Sequence, residues 1–133
     1  MARKRRILII EDNDTLRESL RRSLLKEGHD VIGTPAAEEG LGLVLGHLFD
    51  LILVDLKLPR HDGDSFIRQV RAIGCRSEIV MMTGADNIDP VATANAVGAR
   101  AMILKGADFF TQIRDTVREI LHTPASSVTE TAR

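Results

Sequence analysis

The feature that most constrains this chain is an alternation. Four runs of consecutive apolar residues, "ILII" at 7–10, "LILV" at 51–54, "IVMM" at 79–82 and "AMIL" at 101–104, are separated by stretches with a helical period. None of the runs alternates apolar with polar, so each reads as a strand covered on both faces, as inside a parallel sheet. "HDVIG" at 29–33 is a weaker strand, suited to a sheet edge. Leu16, Leu20 and Leu24 recur every four residues across 14–27, and Gly28 supplies a helix stop. Thr34 and Pro35 read as the cap and first residue of a second helix with the stripe Ala37, Leu41, Val44, Leu45 and Leu48. Gly40 and Gly42 weaken that helix by up to about 1 kcal/mol each. Phe66, Ile67, Val70 and Ile73 mark a third helix, ended by Gly74. A short fourth covers 89–98, with Pro90 near its start and Gly98 after its end. Phe109, Phe110, Ile113, Val117, Ile120 and Leu121 mark the fifth. The order βαβαβαβαβα implies right-handed crossovers and a doubly wound α/β fold, a parallel sheet with helices on both faces.

A chain of 133 residues, 44% of them hydrophobic, suits one packed domain. We place it at 1–122 and read the small, polar stretch 123–133 as a disordered tail or linker stub. A formal net charge of −1 demands no polyanionic partner. The basic start Arg3, Lys4, Arg5 and Arg6 reads as a solvated leader, and the chain has no Trp or Tyr to stack on nucleic-acid bases. The leader runs into only four apolar residues, so no signal peptide is visible, and no apolar run approaches a membrane span of about 20 residues. The single Cys75 excludes an internal disulfide framework and fits a reducing cytoplasm.

The apolar runs end on polar residues. Glu11 and Asp12 follow the first, Asp55 follows "LILV", Thr83 follows "IVMM" and Lys105 follows "AMIL". In an open parallel sheet the carboxyl ends of the strands border the ligand crevice. Any one of these residues is ordinary as a turn or cap; five at one edge are not. Three carboxylates in a small space repel at neutral pH, and a hard divalent cation offsets that repulsion; Mg²⁺ takes such oxygen ligands and keeps several waters. Lys105 can pair with one carboxylate, Asp55 foremost. A phosphoryl group on Asp55 would give every part a role, its oxygens balanced by the metal and Lys105 and hydrogen-bonded by the Thr83 hydroxyl. Gly84 beside Thr83 keeps a path open to the pocket.

Over about residues 5–122 the chain resembles the response-regulator receiver domains of two-component signal transduction. The likeness rests on the acidic pair "ED" at 11–12, on "VDLKLPRHDG" with Pro59 and Gly63 at the family's offsets, and on the spacings from Asp55 to Thr83 and Thr83 to Lys105. It implies a five-stranded flavodoxin-like (βα)5 fold with strand order 2-1-3-4-5. It implies phosphate acceptance by Asp55 from a histidine kinase or phosphotransfer protein. It implies Mg²⁺ held by Asp12, Asp55 and the backbone carbonyl of Lys57, with Glu11 acting directly or through water. The output would be an altered binding surface for a downstream target or effector domain, with homodimerisation through the fourth and fifth helices as a further use of it. No membrane or nucleic-acid contact by this domain is implied. Two positions depart from the family pattern. Gly106 stands where most relatives carry proline after the lysine, as in receivers of some helix-turn-helix regulators, and Ile103 stands at the position we assign to the family's aromatic switch.

Two other classes use the same residues. A small Mg²⁺-dependent phosphohydrolase would need a second acid two residues after Asp55, where Lys57 stands, and a substrate cap for which the chain lacks length. A phosphate-independent adaptor would carry the pocket as a vestige. Self-catalysed transfer and hydrolysis at Asp55, with no turnover of an external substrate, is the reading the residues favour. His29, His47, His61 and His122 are scattered and form no metal-spaced pair, although His61 lies close to the site in sequence.

Overall fold

The computed structural model describes residues 4–58, 62–85 and 87–122. Five strands and five helices alternate: β1 (Arg6–Ile10), α1 (Asp14–Lys26), β2 (Asp30–Thr34), α2 (Ala37–Gly46), β3 (Leu51–Asp55), α3 (Gly63–Ala72), β4 (Glu78–Thr83), α4 (Pro90–Val97), β5 (Ala101–Leu104) and α5 (Phe109–His122). The strands form one parallel sheet in the order β2-β1-β3-β4-β5, so the chain reverses direction across the sheet between β1 and β3. Arg3, Pro59, His61 and the tail 123–133 lie outside the described residues.

Strand alternation divides the core into two layers. Leu8, Ile10, Ile52, Val54, Ile79, Met81 and Met102 face α2, α3 and α4, where they meet Ala37, Val44, Phe66, Ile67, Val70 and Ala94. Ile7, Ile9, Leu51, Leu53, Val80, Met82 and Ile103 face α1 and α5, against Leu20, Leu24, Phe109, Ile113 and Val117. β1, β3 and β4 are apolar through their interiors, with polar residues only at their ends, because helices cover both of their faces. β2, at the edge, is only half-buried along most of its length, which is why its sequence signal is weak.

The helix ends follow their residues. The Asn13 side chain accepts from the Leu16 amide at α1, Asp62 from Ser65 at α3, and Asp89 from Val91 and Ala92 at α4. Gly98 closes α4 in the left-handed region at φ 77°. The start of α2 departs from expectation. Thr34 is the last residue of β2 and its hydroxyl donates to Glu39 Oε1 at 2.8 Å, while Pro35 lies in the connection and Ala36 precedes the helix without a side-chain cap. Register decided this: Thr34 pairs with Ile10 in the sheet, and that ladder outweighs a local cap. Leu45 and Leu48 also leave the expected stripe and stand exposed: Leu45 lies off the buried face of Ala37, Gly40 and Val44, and Leu48 lies beyond the end of α2 at Gly46. Gly40 is a packing requirement: a Cβ there would stand 2.5 Å from Ile10 Cδ1, so the missing side chain lets α2 lie close on β1.

Candidate functional site

β1, β3, β4 and β5 end together at one edge of the sheet. Ile10 pairs with Val54, Asp55 with Met82 and Thr83 with Leu104, so the residues at or just beyond these ends converge. Carboxylate oxygens of Glu11, Asp12 and Asp55 lie within 4.8 Å of one another. Glu11 and Asp55 are buried, and Asp12 is exposed at the mouth. Lys105 reaches across from the end of β5. Its Nζ lies 2.9 Å from Asp55 Oδ2 and 2.9 Å from Glu11 Oε1. Only the approach to Asp55 has hydrogen-bond alignment; Glu11 Oε1 is buried and held by charge alone.

The main chain completes the arrangement. The Lys105 amide donates to the Thr83 carbonyl at 2.7 Å, and the Leu56 amide to the Met82 carbonyl at 2.8 Å. Asp55 Oδ1 accepts the Lys57 amide at 3.1 Å. Lys57 and Asp62 pair as a single antiparallel bridge, and the Gly63 amide donates to the Leu56 carbonyl at 2.7 Å. A Cβ on Gly63 would stand 2.7 Å from the Asp55 carbonyl oxygen and 3.0 Å from Leu56 Cα. Here glycine is needed for close approach, because α3 starts directly against the backbone that carries Asp55. Thr83 is buried, and its Oγ accepts the Ala85 amide at 3.1 Å.

The charges are strained in one direction. Burial raises the Glu11 pKa, the neighbouring Asp55 carboxylate adds to the rise, and Lys105 and the Asn13 amide oppose it. Burial works against the Lys105 ammonium, but the close approach and attraction of Glu11 and Asp55 outweigh it and raise the Lys105 pKa. One ammonium faces three carboxylates, so the cluster has negative charge to spare and a buried oxygen, Glu11 Oε1, without an aligned donor. Those donors suit a hard divalent cation with oxygen ligands. Glu11, Asp12, Asp55, Thr83 and Lys105, picked out from sequence, are therefore neighbours in space.

The two departures from family pattern acquire physical form. The Gly106 amide donates to the Leu104 carbonyl at 2.9 Å, a bond proline could not make, and the Gly106 carbonyl accepts from Phe109 at the start of α5. Ile103 is buried on the α1/α5 side of β5. The β5 side chain on the α4 side, grouped with Ala94 and Ala99, is Met102. Strand parity separates the two, so a side chain that reports to α4 belongs at 102 and not at 103. Sequence reasoning also passed over Arg17, whose guanidinium donates to the Glu11 carbonyl at 2.8 Å and to Asp14 Oδ1 at 2.7 Å. It sits one turn into α1 among other cations, and nothing in its spacing sets it apart.

Comparison with known proteins agrees with the fold. Residues 7–118 match the response regulator receiver domain family. The response regulator MprA of Mycobacterium sp. (strain KMS) is 36% identical over 83 residues, 62% of this chain and 36% of that protein. The transcriptional regulatory protein PcoR of Escherichia coli is 31% identical over 116 residues, 87% of this chain and 51% of that protein. The chain thus spans between about a third and a half of the length of these relatives. Among solved structures, a CheY-like receiver domain protein from Methanospirillum hungatei JF-1 superposes with a TM-score of 0.81 at 27% identity, covering 90% of this chain and 95% of that one. With the family match over most of its length, the same doubly wound sheet and an acidic cluster at the strand ends, this chain belongs to the response regulator receiver domains of two-component systems.

Proposed function

We propose that this receiver is switched by phosphorylation of Asp55, with Mg²⁺ as its cofactor and a histidine kinase or phosphotransfer protein as its donor. The observation that carries the reading is the position of Lys105 Nζ, 2.9 Å from both Glu11 Oε1 and Asp55 Oδ2, inside a cluster of three carboxylates. Asp12, Asp55 and the Lys57 carbonyl would hold the ion, with Glu11 direct or through water. When bound there, Mg²⁺ balances negative charge on the transferring group. An oxygen of Asp55 attacks phosphorus as the nitrogen–phosphorus bond of the donor phosphohistidine breaks, and the departing imidazole nitrogen takes a proton from solvent. Lys105 remains beside Asp55 and balances the charge delivered to it. The Thr83 hydroxyl turns to donate to a phosphoryl oxygen.

The switched surface is the loop after Thr83 together with α4 and α5, available to a target, an attached effector domain or a second copy. Transfer and hydrolysis at Asp55 are self-catalysed, and no external substrate is turned over. The unit acting this way is 1–122, in the cytoplasm. Incubation with acetyl phosphate and Mg²⁺, read by intact mass, tests the proposal. A single phosphoryl adduct is expected. Turnover of acetyl phosphate with no adduct at any time would indicate a phosphohydrolase, and no reaction would indicate a phosphate-independent adaptor.

A further inference from the structure

Arg17 is the one α1 cation that reaches the acidic cluster, and it does so through the main chain. Its Nη1 donates to the Glu11 carbonyl at 2.8 Å and its Nη2 to Asp14 Oδ1 at 2.7 Å, and only 20% of its side chain is exposed. The stem lies over β2 at Gly33, where an added Cβ would stand 3.1 Å from Arg17 Cγ and 3.2 Å from Cδ. The Glu11 amide donates in turn to the Thr34 carbonyl at 3.1 Å, and Glu11 Oε2 accepts the Asn13 amide at 3.1 Å. Glu11 is thus gripped at its amide, its carbonyl and its carboxylate. The Glu11 carbonyl shares a rigid peptide plane with the Asp12 amide, so fixing that carbonyl also fixes the direction in which Asp12 leaves the strand.

We infer that Arg17 is a positioning residue for divalent-cation binding, holding the Glu11–Asp12 peptide so that both carboxylates meet at Asp55. The inference rests on the proposed Mg²⁺ site. Electrostatics alone predicts the opposite sign: removing a cation beside three carboxylates would tighten metal binding. Partners that orient ligands in this way typically cost 10–100-fold in metal affinity when removed.

Calorimetric titration of the full chain with Mg²⁺ decides between them. Arg17→Met keeps the stem over Gly33 and loses the donors; it should raise the Mg²⁺ dissociation constant by about tenfold. Its melting temperature in EDTA should fall modestly, since the Glu11 carbonyl loses a charged donor while the pair with the exposed Asp14 carboxylate adds little. Arg17→Lys, which can make one of the two bonds, should fall between. Gly33→Ala, which keeps the guanidinium but pushes its stem by a few tenths of an ångström, should weaken binding in the same direction to a smaller extent and supplies the answer if Arg17→Met does not fold. Unchanged or tighter Mg²⁺ binding in these variants, beside a wild type that binds, overturns the role of Arg17 alone. A wild type that takes up no Mg²⁺ overturns the metal site and this inference together.

Discussion

The oxygen of Thr83 and the amide of Ala85 are joined by a hydrogen bond of 3.1 Å, which ties the side chain at the end of β4 to the loop that follows it. A hydroxyl can donate its hydrogen while its oxygen still accepts, so the Ala85 bond breaks only if the oxygen itself shifts. If it moves to meet a phosphoryl group on Asp55, the Ala85 amide loses its acceptor and the loop is released. Thr83→Val should therefore keep phosphorylation by acetyl phosphate but lose the response of the loop. Amide exchange with and without beryllofluoride should change at 84, 85 and 87–92 in wild type and stay flat there in the variant. The same response in both would show that the loop does not listen to Thr83.

Asp55→Asn should abolish the phosphoryl adduct while leaving the fold intact. The amide has nearly the shape of the carboxylate, and it removes one of three negative charges around Lys105. Intact mass and circular dichroism suffice. An adduct of undiminished yield on the variant would move the acceptor elsewhere.

Mg²⁺ should stabilise the chain, because the carboxylates repel in its absence. At 100 times its dissociation constant a ligand adds about 2.7 kcal/mol by mass action. Asp12→Ala should lose most of that gain in a thermal melt and slow labelling by acetyl phosphate. Equal melting temperatures in Mg²⁺ and EDTA for wild type would remove the metal from the account.

Gly63→Ala should be disproportionately costly for one methyl group. The new Cβ meets main-chain atoms of Asp55 and Leu56, which cannot swing aside as a side-chain tip can. Overpacking of this kind costs about 1–3 kcal/mol, and any relief moves the backbone under Asp55. Urea denaturation and the labelling rate should both suffer. A variant as stable and as readily labelled as wild type would show that α3 backs away from β3 without consequence.

His29 makes stability fall on the acid side. The ring is buried with neither nitrogen hydrogen-bonded, its centroid 6.3 Å from that of the tilted His122 ring. Burial lowers its pKa and His122 adds to this; Glu27 and Asp50 oppose, and Arg5 assists. The unfolded chain accepts a proton near pH 6.5, while the folded ring resists until lower pH. Between those two values the unfolded state binds more protons, so stability should drop as pH falls below about 6.5, by up to about 1.4 kcal/mol per pH unit. Urea denaturation between pH 7.5 and 5 should show the slope, and His29→Leu should flatten it. An identical slope in the variant would assign it to other groups.

The architecture was legible because three strands carry four consecutive apolar residues, and a sheet covered on both faces asks for that. The site was legible because strand ends gather whatever polar residues follow them. Thr34 was misread because a Thr-Pro pair signals a helix start locally, and only pairing with Ile10 shows that the strand continues to it. Gly40 looked like a defect because helix propensity is visible in sequence, while the approach of Ile10 is not. Ile103 was named for a role that strand parity gives to Met102, since the face of a short buried strand cannot be told from a run that is apolar on both sides. Arg17 was invisible because its partner is a carbonyl, which every residue has.

The two apolar layers also bear on how such a chain can change over generations. Neighbouring residues on each central strand belong to opposite layers, as Ile52 and Leu53 do on β3. Substitutions can accumulate under α1 and α5, shifting stability and the packing of that side, while the layer beneath α4 keeps its contacts. A lineage built on this sheet is free to drift in one half and hold the other constant, so the two faces can diverge at different rates while the same five strand ends stay in place.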